Sequence, residues 1–148
     1  MELIPQLTEL KNEFIEFLEQ LTPEDLKRSY AEGKWTVAQV LQHILDTERI
    51  FQYRALSIAR KDKTALPGFE QDEYVPVSRA QNRKLSDFIK EFTTVRNSGI
   101  ALFESFDEAM LKEIGNANGA PLSPRAAGFI TAGHQKHHLI LFKTHYLL

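Results

Sequence analysis

The chain has 148 residues, a formal net charge of −2, 43% hydrophobic and 26% charged residues; that is enough for one packed domain with the balance of a soluble globular protein. No basic field exists to hold a phosphate backbone, so nucleic acid is not an expected partner. No apolar run nears the ~20 residues of a membrane helix.

Charges appear early in Met1–Leu10 and no apolar signal core follows, so the expected location is cytoplasmic. Cysteine is absent. That removes disulfides, thiolate ligands and a cysteine nucleophile together, and any metal site must draw on His, Asp or Glu.

Four segments carry the three-and-four spacing of amphipathic helices, and strand signals are poor, so the expected fold is an all-α four-helix bundle in a single domain, 1–148. The first helix is expected from about Pro5 to Gln20, with Leu7, Leu10, Phe14, Phe17 and Leu18 inward. The second starts at a capping box, Thr36 with Gln39, and runs from Val37 to about Arg60. Its apolar stripe is Val37, Val40, Leu41, Ile44, Phe51, Ala55 and Ile58. The third is expected from Ser78 to about Phe106, weakened at Gly99. The fourth starts at Ser123-Pro124, a cap followed by proline, and runs nearly to Leu148.

The connection from Lys61 to Val77 holds Pro67, Gly68 and Pro76. At about 3.3 Å per extended residue it can span a helix length, so helix three is expected to run parallel to helix two with this segment crossing over. The connection from about Asp107 to Leu122 is rich in Gly, Asn and Ala. Loops of this length in a small domain are often functional.

Three of the five histidines fall in Gly133-His134-Gln135-Lys136-His137-His138. His134 and His138, one helical turn apart, can grip one ion from a shared face. Their direction follows the stripe of Ala127, Ile130 and Leu141; a His134/His137 pair is also open. His145 lies about 10 Å further along the same face and is too far for the same ion. A third ligand must come from elsewhere, and His43, near the edge of the helix-two stripe, is the remaining histidine. Gln135 stands where the zincin pattern HExxH has its glutamate, so that motif's general base is missing.

Gly33-Lys34-Trp35-Thr36-Val37, running on to His43-Ile44-Leu45-Asp46-Thr47-Glu48-Arg49, resembles the first signature of the DinB/YfiT-like superfamily. Tyr53-Arg54-Ala55, Leu66-Pro67-Gly68-Phe69 and Ala132-Gly133-His134-Gln135-Lys136-His137-His138 follow in the same order. The resemblance implies an up-down-down-up bundle and a three-histidine divalent metal site, which maps onto His43, His134 and His138. Similar sequences often carry Glu at position 135. Relatives include thiol S-transferases and a thiol-dependent isomerase.

Three neutral imidazoles on one side of an ion leave positions open for water or substrate, as catalytic sites do. The expected function is therefore a metal-dependent enzyme acting on a small molecule, either a hydrolase or, by resemblance, a low-molecular-weight-thiol S-transferase. The competing expectation is a non-catalytic metal-binding stress-response protein with a closed coordination sphere. Zinc, nickel, iron, copper and manganese all suit such a site. Binding is expected to weaken below about pH 6.5, where free imidazoles take up protons.

Glu48 projects into the apolar stripe of helix two and needs a partner; an arginine ion pair is the first expectation, a catalytic or metal-supporting role the second. Asp46 could orient a ligand by accepting an imidazole N–H. Trp35 is read as a packing residue at the chain's entry to helix two. Glu70, Asp72, Glu73 and Tyr74 could roof a pocket from the crossover. Phe129 and Ile140, on the back of helix four, suggest a homodimer face.

Overall fold

The structure, a computed structural model, describes residues 2–148. Four long helices form the bundle: α1 (Leu3–Glu19), α2 (Val37–Ala59), α4 (Leu85–Glu104) and α6 (Pro124–Thr144). Two short helices, α3 (Gln71–Val77) and α5 (Glu108–Lys112), and a small antiparallel hairpin of β1 (Gly115–Ala117) and β2 (Ala120–Leu122) decorate the connections.

The cap chemistry sets two of the long helices where the sequence places them. Thr36 Oγ1 accepts from the Gln39 amide at 3.2 Å, and Gln39 Oε1 accepts from the Thr36 amide at 2.9 Å, which opens α2. Ser123 Oγ accepts from the Ala126 amide at 3.1 Å with Pro124 in the first turn, which opens α6.

The third long helix departs from expectation. It begins at Leu85 rather than Ser78, because Arg79 takes a left-handed φ of 59° and the chain makes a 3-10 turn over Ala80–Asn82 first. The operative cap is Asp87, whose carboxylate accepts from the Lys84 amide at 3.0 Å. Gly99 does not mark a defect: a Cβ there would meet Gln52 Nε2 at 2.9 Å, and that amide donates to the Val95 carbonyl at 2.8 Å. The missing side chain lets α2 and α4 approach.

The connection from Lys61 to Val77 is not bare loop either, since α3 occupies its second half. The hairpin was also not expected. Its signal was present, because Asn118 and Gly119 take consecutive φ values of 52° and 77°, the two-residue type I′ turn that Asn-Gly favours. Leu66 of this connection pairs with the hairpin, donating to the Asn116 carbonyl at 3.0 Å and accepting from the Asn118 amide at 2.9 Å.

Contacts fix how the helices lie together. Gln42, Arg49 and Gln52 of α2 meet Arg83, Glu91 and Val95 in the same sequence order. Leu7 and Phe14 of α1 meet Arg96 and Phe92 of α4 in the opposite order. Leu3 and Phe17 of α1 meet Gly128 and Phe142 of α6 in the same order.

The apolar interior forms two clusters. One holds Phe14, Leu18, Ile44, Phe88, Phe92 and Phe142; the other holds Leu3, Leu7, Ile58, Phe103, Ala127 and Ala132. Between them in helix position sits a buried polar layer. Arg96, 0% exposed, donates from Nε to Glu48 Oε1 at 2.6 Å and from Nη2 to Glu48 Oε2 at 3.2 Å. Its Nη1 donates to the Leu7 carbonyl at 3.0 Å and its Nη2 to Gln135 Oε1 at 3.4 Å. One guanidinium thus ties all four long helices. Phe129, expected on an outer face, packs half-buried against the second cluster, whereas Ile130 and Ile140 are 43% and 49% exposed.

Candidate metal centre

His43 lies on the face of α2 turned toward α6 and is 3% exposed. His134 and His138 lie one turn apart on α6, both half-buried. Each of the three offers a ring nitrogen, and these atoms all lie within 4.8 Å of one another. The closest approach is His43 Nε2 to His134 Nε2 at 2.9 Å. The ring centroids stand 4.8, 5.2 and 4.6 Å apart, with the rings steeply inclined to one another.

His137 and His145 are exposed and stand outside this cluster. His137 points off the flank of the helix, 5.3 Å from the His138 ring by centroid. His145 has turned to Thr144 Oγ1, at 2.9 Å, and to the Tyr30 ring.

The donor set fits a divalent ion. Two nitrogens held about 2.0–2.1 Å from one tetrahedral zinc stand about 3.4 Å apart, a spacing that the observed separations bracket. His43 and His134 aim basic nitrogens at each other, an arrangement that one shared proton satisfies only for that pair. Thr47, one turn after His43, places Oγ1 3.4 Å from His43 Nδ1. An oxygen on that side favours a proton on Nδ1 and leaves Nε2 free as a donor.

Electrostatics keep the imidazoles neutral. Burial, then the neighbouring His138, His43 and His137, push His134 down from 6.5 to about 3. Burial, then His43 and His137, push His138 down from 6.5 to about 4. His43 is also lowered by burial, with Asp72 pulling it partway back. The competition between protons and a metal therefore moves below the pH 6.5 expected for free imidazole.

These shifts carry a stability consequence for the metal-free protein. Unfolded histidines bind protons below about 6.5, while the folded ones resist until about 3 to 4. In that window the unfolded state holds more protons, so stability falls as pH falls. Between about pH 7.5 and about pH 5 the loss is expected to reach at most about 2 kcal/mol per histidine. Urea midpoints of the metal-free protein check this, and a flat midpoint over that interval contradicts neutral burial of the trio. Asp25, Asp62 and Glu91, held below their ordinary values, act only at lower pH.

The two carboxylates singled out in the sequence stand apart from the imidazoles. Glu48 is committed to Arg96 in the buried layer. Asp46 accepts from Gln42 Nε2 at 3.1 Å and not from an imidazole; burial first, and Glu91 nearby, hold its carboxyl above the usual range. Gln135 turns into the core, where its Nε2 is the buried side-chain donor left without a partner among the described residues.

Trp35, expected only as a packing residue, stands against the trio. The Trp35 ring lies 5.2 Å from the His43 ring by centroid, and its carbonyl accepts from the Tyr146 hydroxyl at 2.7 Å. A cavity of about 330 Å³ opens beside His138, walled by Trp35, Leu141 and Tyr146 and reached by Asp72 of α3. Of Glu70, Asp72 and Glu73, Asp72 is the one that lines this cavity. The signal that could have placed Trp35 is its position one residue ahead of the α2 cap, two turns from His43.

Comparison with known proteins follows the same lines. Residues 6–141 match the model of the DinB superfamily. A protein of Oceanobacillus iheyensis named "Putative metal-dependent hydrolase OB0413" is 26% identical over 145 residues, covering 96% of this chain and 82% of the relative. A Geobacillus thermodenitrificans protein, "Putative metal-dependent hydrolase", is 29% identical over 122 residues, covering 80% and 67%. Among solved structures, YfiT from Bacillus subtilis, described as a "probable metal-dependent hydrolase with an unusual four-helix bundle topology", superposes with a TM-score of 0.80 at 18% identity, covering 95% of this chain and 84% of YfiT. A DinB-like protein of Bacillus subtilis, YjoA, superposes with a TM-score of 0.65 at 17% identity, covering 94% and 85%. With its helical bundle, its three-histidine cluster and a family match across most of its length, the chain belongs to the DinB superfamily.

Proposed function

We propose that this protein is a metal-dependent hydrolase of a small molecule, with one divalent ion held by His43, His134 and His138. The observation that carries the reading is the convergence of three neutral imidazoles beside an open cavity of about 330 Å³. A closed structural site would present a fourth side-chain ligand, and the cluster contains three. The order of the interhelical contacts supports an up-down-down-up bundle, in which α2 and α6 run antiparallel and place His43 against the His134–His138 turn.

A divalent ion at this position supplies Lewis acidity, polarising a substrate carbonyl or lowering the pKa of water to about 7. The chain's own residues do the rest. Burial keeps the three imidazoles unprotonated and ready to donate. Thr47 orients His43. Trp35, Leu141 and Tyr146 wall one side of the cavity, and Asp72 is the carboxylate that lines it.

The same geometry accepts a low-molecular-weight thiol as cosubstrate. Because the chain has no cysteine, the thiol must come from solution. The test is an assay of zinc-loaded protein against esters, amides and lactones, run beside one pairing small thiols with an electrophile. Turnover in the first set that disappears on chelation and in His134→Ala is the expected result. Turnover found only with a thiol present moves the chain to the transferase class. No metal-dependent turnover in either set contradicts the enzymatic reading.

A further inference from the structure

The turn ahead of α2 is built to present two side chains over the cavity. The Lys34 amide donates to the Ala31 carbonyl at 3.2 Å, closing a four-residue turn. Gly33 takes a positive φ of 77° at its third position, as in a type II turn, where glycine is favoured. The turn is anchored from beneath, because the Trp35 carbonyl accepts from the Tyr146 hydroxyl at 2.7 Å and the Tyr146 carbonyl accepts from Arg28 at 2.6 Å.

The cavity is lined by charged groups of both signs and by apolar side chains. Asp72 is the lining carboxylate, and its charge reaches His43. Lys34 is the lining cation, its Nζ 6.0 Å from the Tyr30 ring centroid. Among the described residues Lys34 makes no ion pair. The Tyr30 ring lies 5.3 Å from the His145 ring by centroid. The Tyr30 ring also lies 5.2 Å from the Tyr146 ring by centroid, so this end sits toward the C-terminal turns of α6, beyond His138. Trp35, Leu141 and Tyr146 supply apolar lining.

Resting on the hydrolase reading above, we propose that the substrate is an elongated small molecule with an apolar middle and a carboxylate at the end remote from the reacting group, and that Lys34 is the residue that selects that carboxylate. An ammonium with no partner in the protein breaks no existing ion pair when it meets a ligand carboxylate. The metal-seeking group takes the ion and the distant carboxylate meets Lys34, so the molecule enters in one orientation.

Trp35 is the only tryptophan and lies in the cavity wall, so its emission reports occupancy. Zinc-loaded protein is titrated with the monohydroxamate of suberic acid, which carries a metal-seeking end and a distant carboxylate, and with the methyl ester of the same compound. The acid is expected to bind about five- to tenfold more tightly than the ester at low salt, an advantage that shrinks as salt screens it. Lys34→Met removes the advantage while leaving ester affinity and zinc content unchanged, and Lys34→Glu reverses it. Lys34 is exposed, so neither substitution threatens the fold. Equal affinity of acid and ester in the unaltered protein, or an advantage that survives Lys34→Met, overturns the inference and leaves the metal centre standing. Failure of both compounds to bind the zinc-loaded protein overturns the open metal centre and the inference together.

Discussion

Replacing Arg96 by methionine will cost the fold about 3–5 kcal/mol, the range for breaking a buried ion pair from one side. The guanidinium is 0% exposed and is shared among the Leu7 carbonyl, the Glu48 carboxylate and Gln135. Its removal strands Glu48 in the interior without a counter-charge, and water cannot reach in to replace it. A domain of this size is stable by about 5–15 kcal/mol in all, so the loss takes a large share of the total. Urea unfolding should show a lower midpoint with an unchanged slope. The paired variant Arg96→Met with Glu48→Gln should recover part of the loss, because no charge is then stranded. An Arg96→Met midpoint equal to that of the unaltered protein would show that the buried layer contributes nothing.

The second large effect concerns the imidazoles. Alanine at His43, His134 or His138 is expected to weaken metal binding by more than the 10- to 100-fold typical of losing a group that merely supports a ligand. The geometry gives the reason: three nitrogens already lie within 4.8 Å of one another, so each contributes a donor that nothing nearby can replace. Alanine at His137 or His145 should leave affinity within a few-fold, since both rings are exposed and stand apart from the cluster. Competition titration with a chromogenic chelator measures all five. A steep loss at His137 with little change at His43 would reassign the ligands.

The site was more legible in the sequence than the fold's details. His134 and His138 lie at a spacing that any α-helix converts into adjacency, so their pairing depends only on α6 forming, and the Ser123-Pro124 start makes that plain. His43 was not readable from spacing, because its meeting with α6 depends on a chain reversal 91 residues long; the resemblance supplied it. The partner of Glu48 was foreseen as an arginine but not as Arg96, since helix packing angles leave no trace in sequence. Arg79 hid the true start of α4: an arginine gives no warning that it will take a left-handed φ. The hairpin was missed for another reason. Its Asn118-Gly119 turn was visible, but strands of three residues each are too short to show alternation.

Lys34 and Asp72 were out of reach for the same reason as His43. They lie 38 residues apart in sequence, and only the docking of α3 beside the Gly33 turn brings them to one cavity.

The central claim is that His43, His134 and His138 hold one divalent ion. Elemental analysis of protein produced and purified without a metal-affinity tag tests it most directly, with His134→Ala/His138→Ala prepared alongside. The account requires close to one equivalent of a single transition metal in the unaltered chain and almost none in the double variant. An unaltered chain that carries no metal and takes up none when offered zinc, nickel or iron, or a double variant that retains a full equivalent, would contradict it.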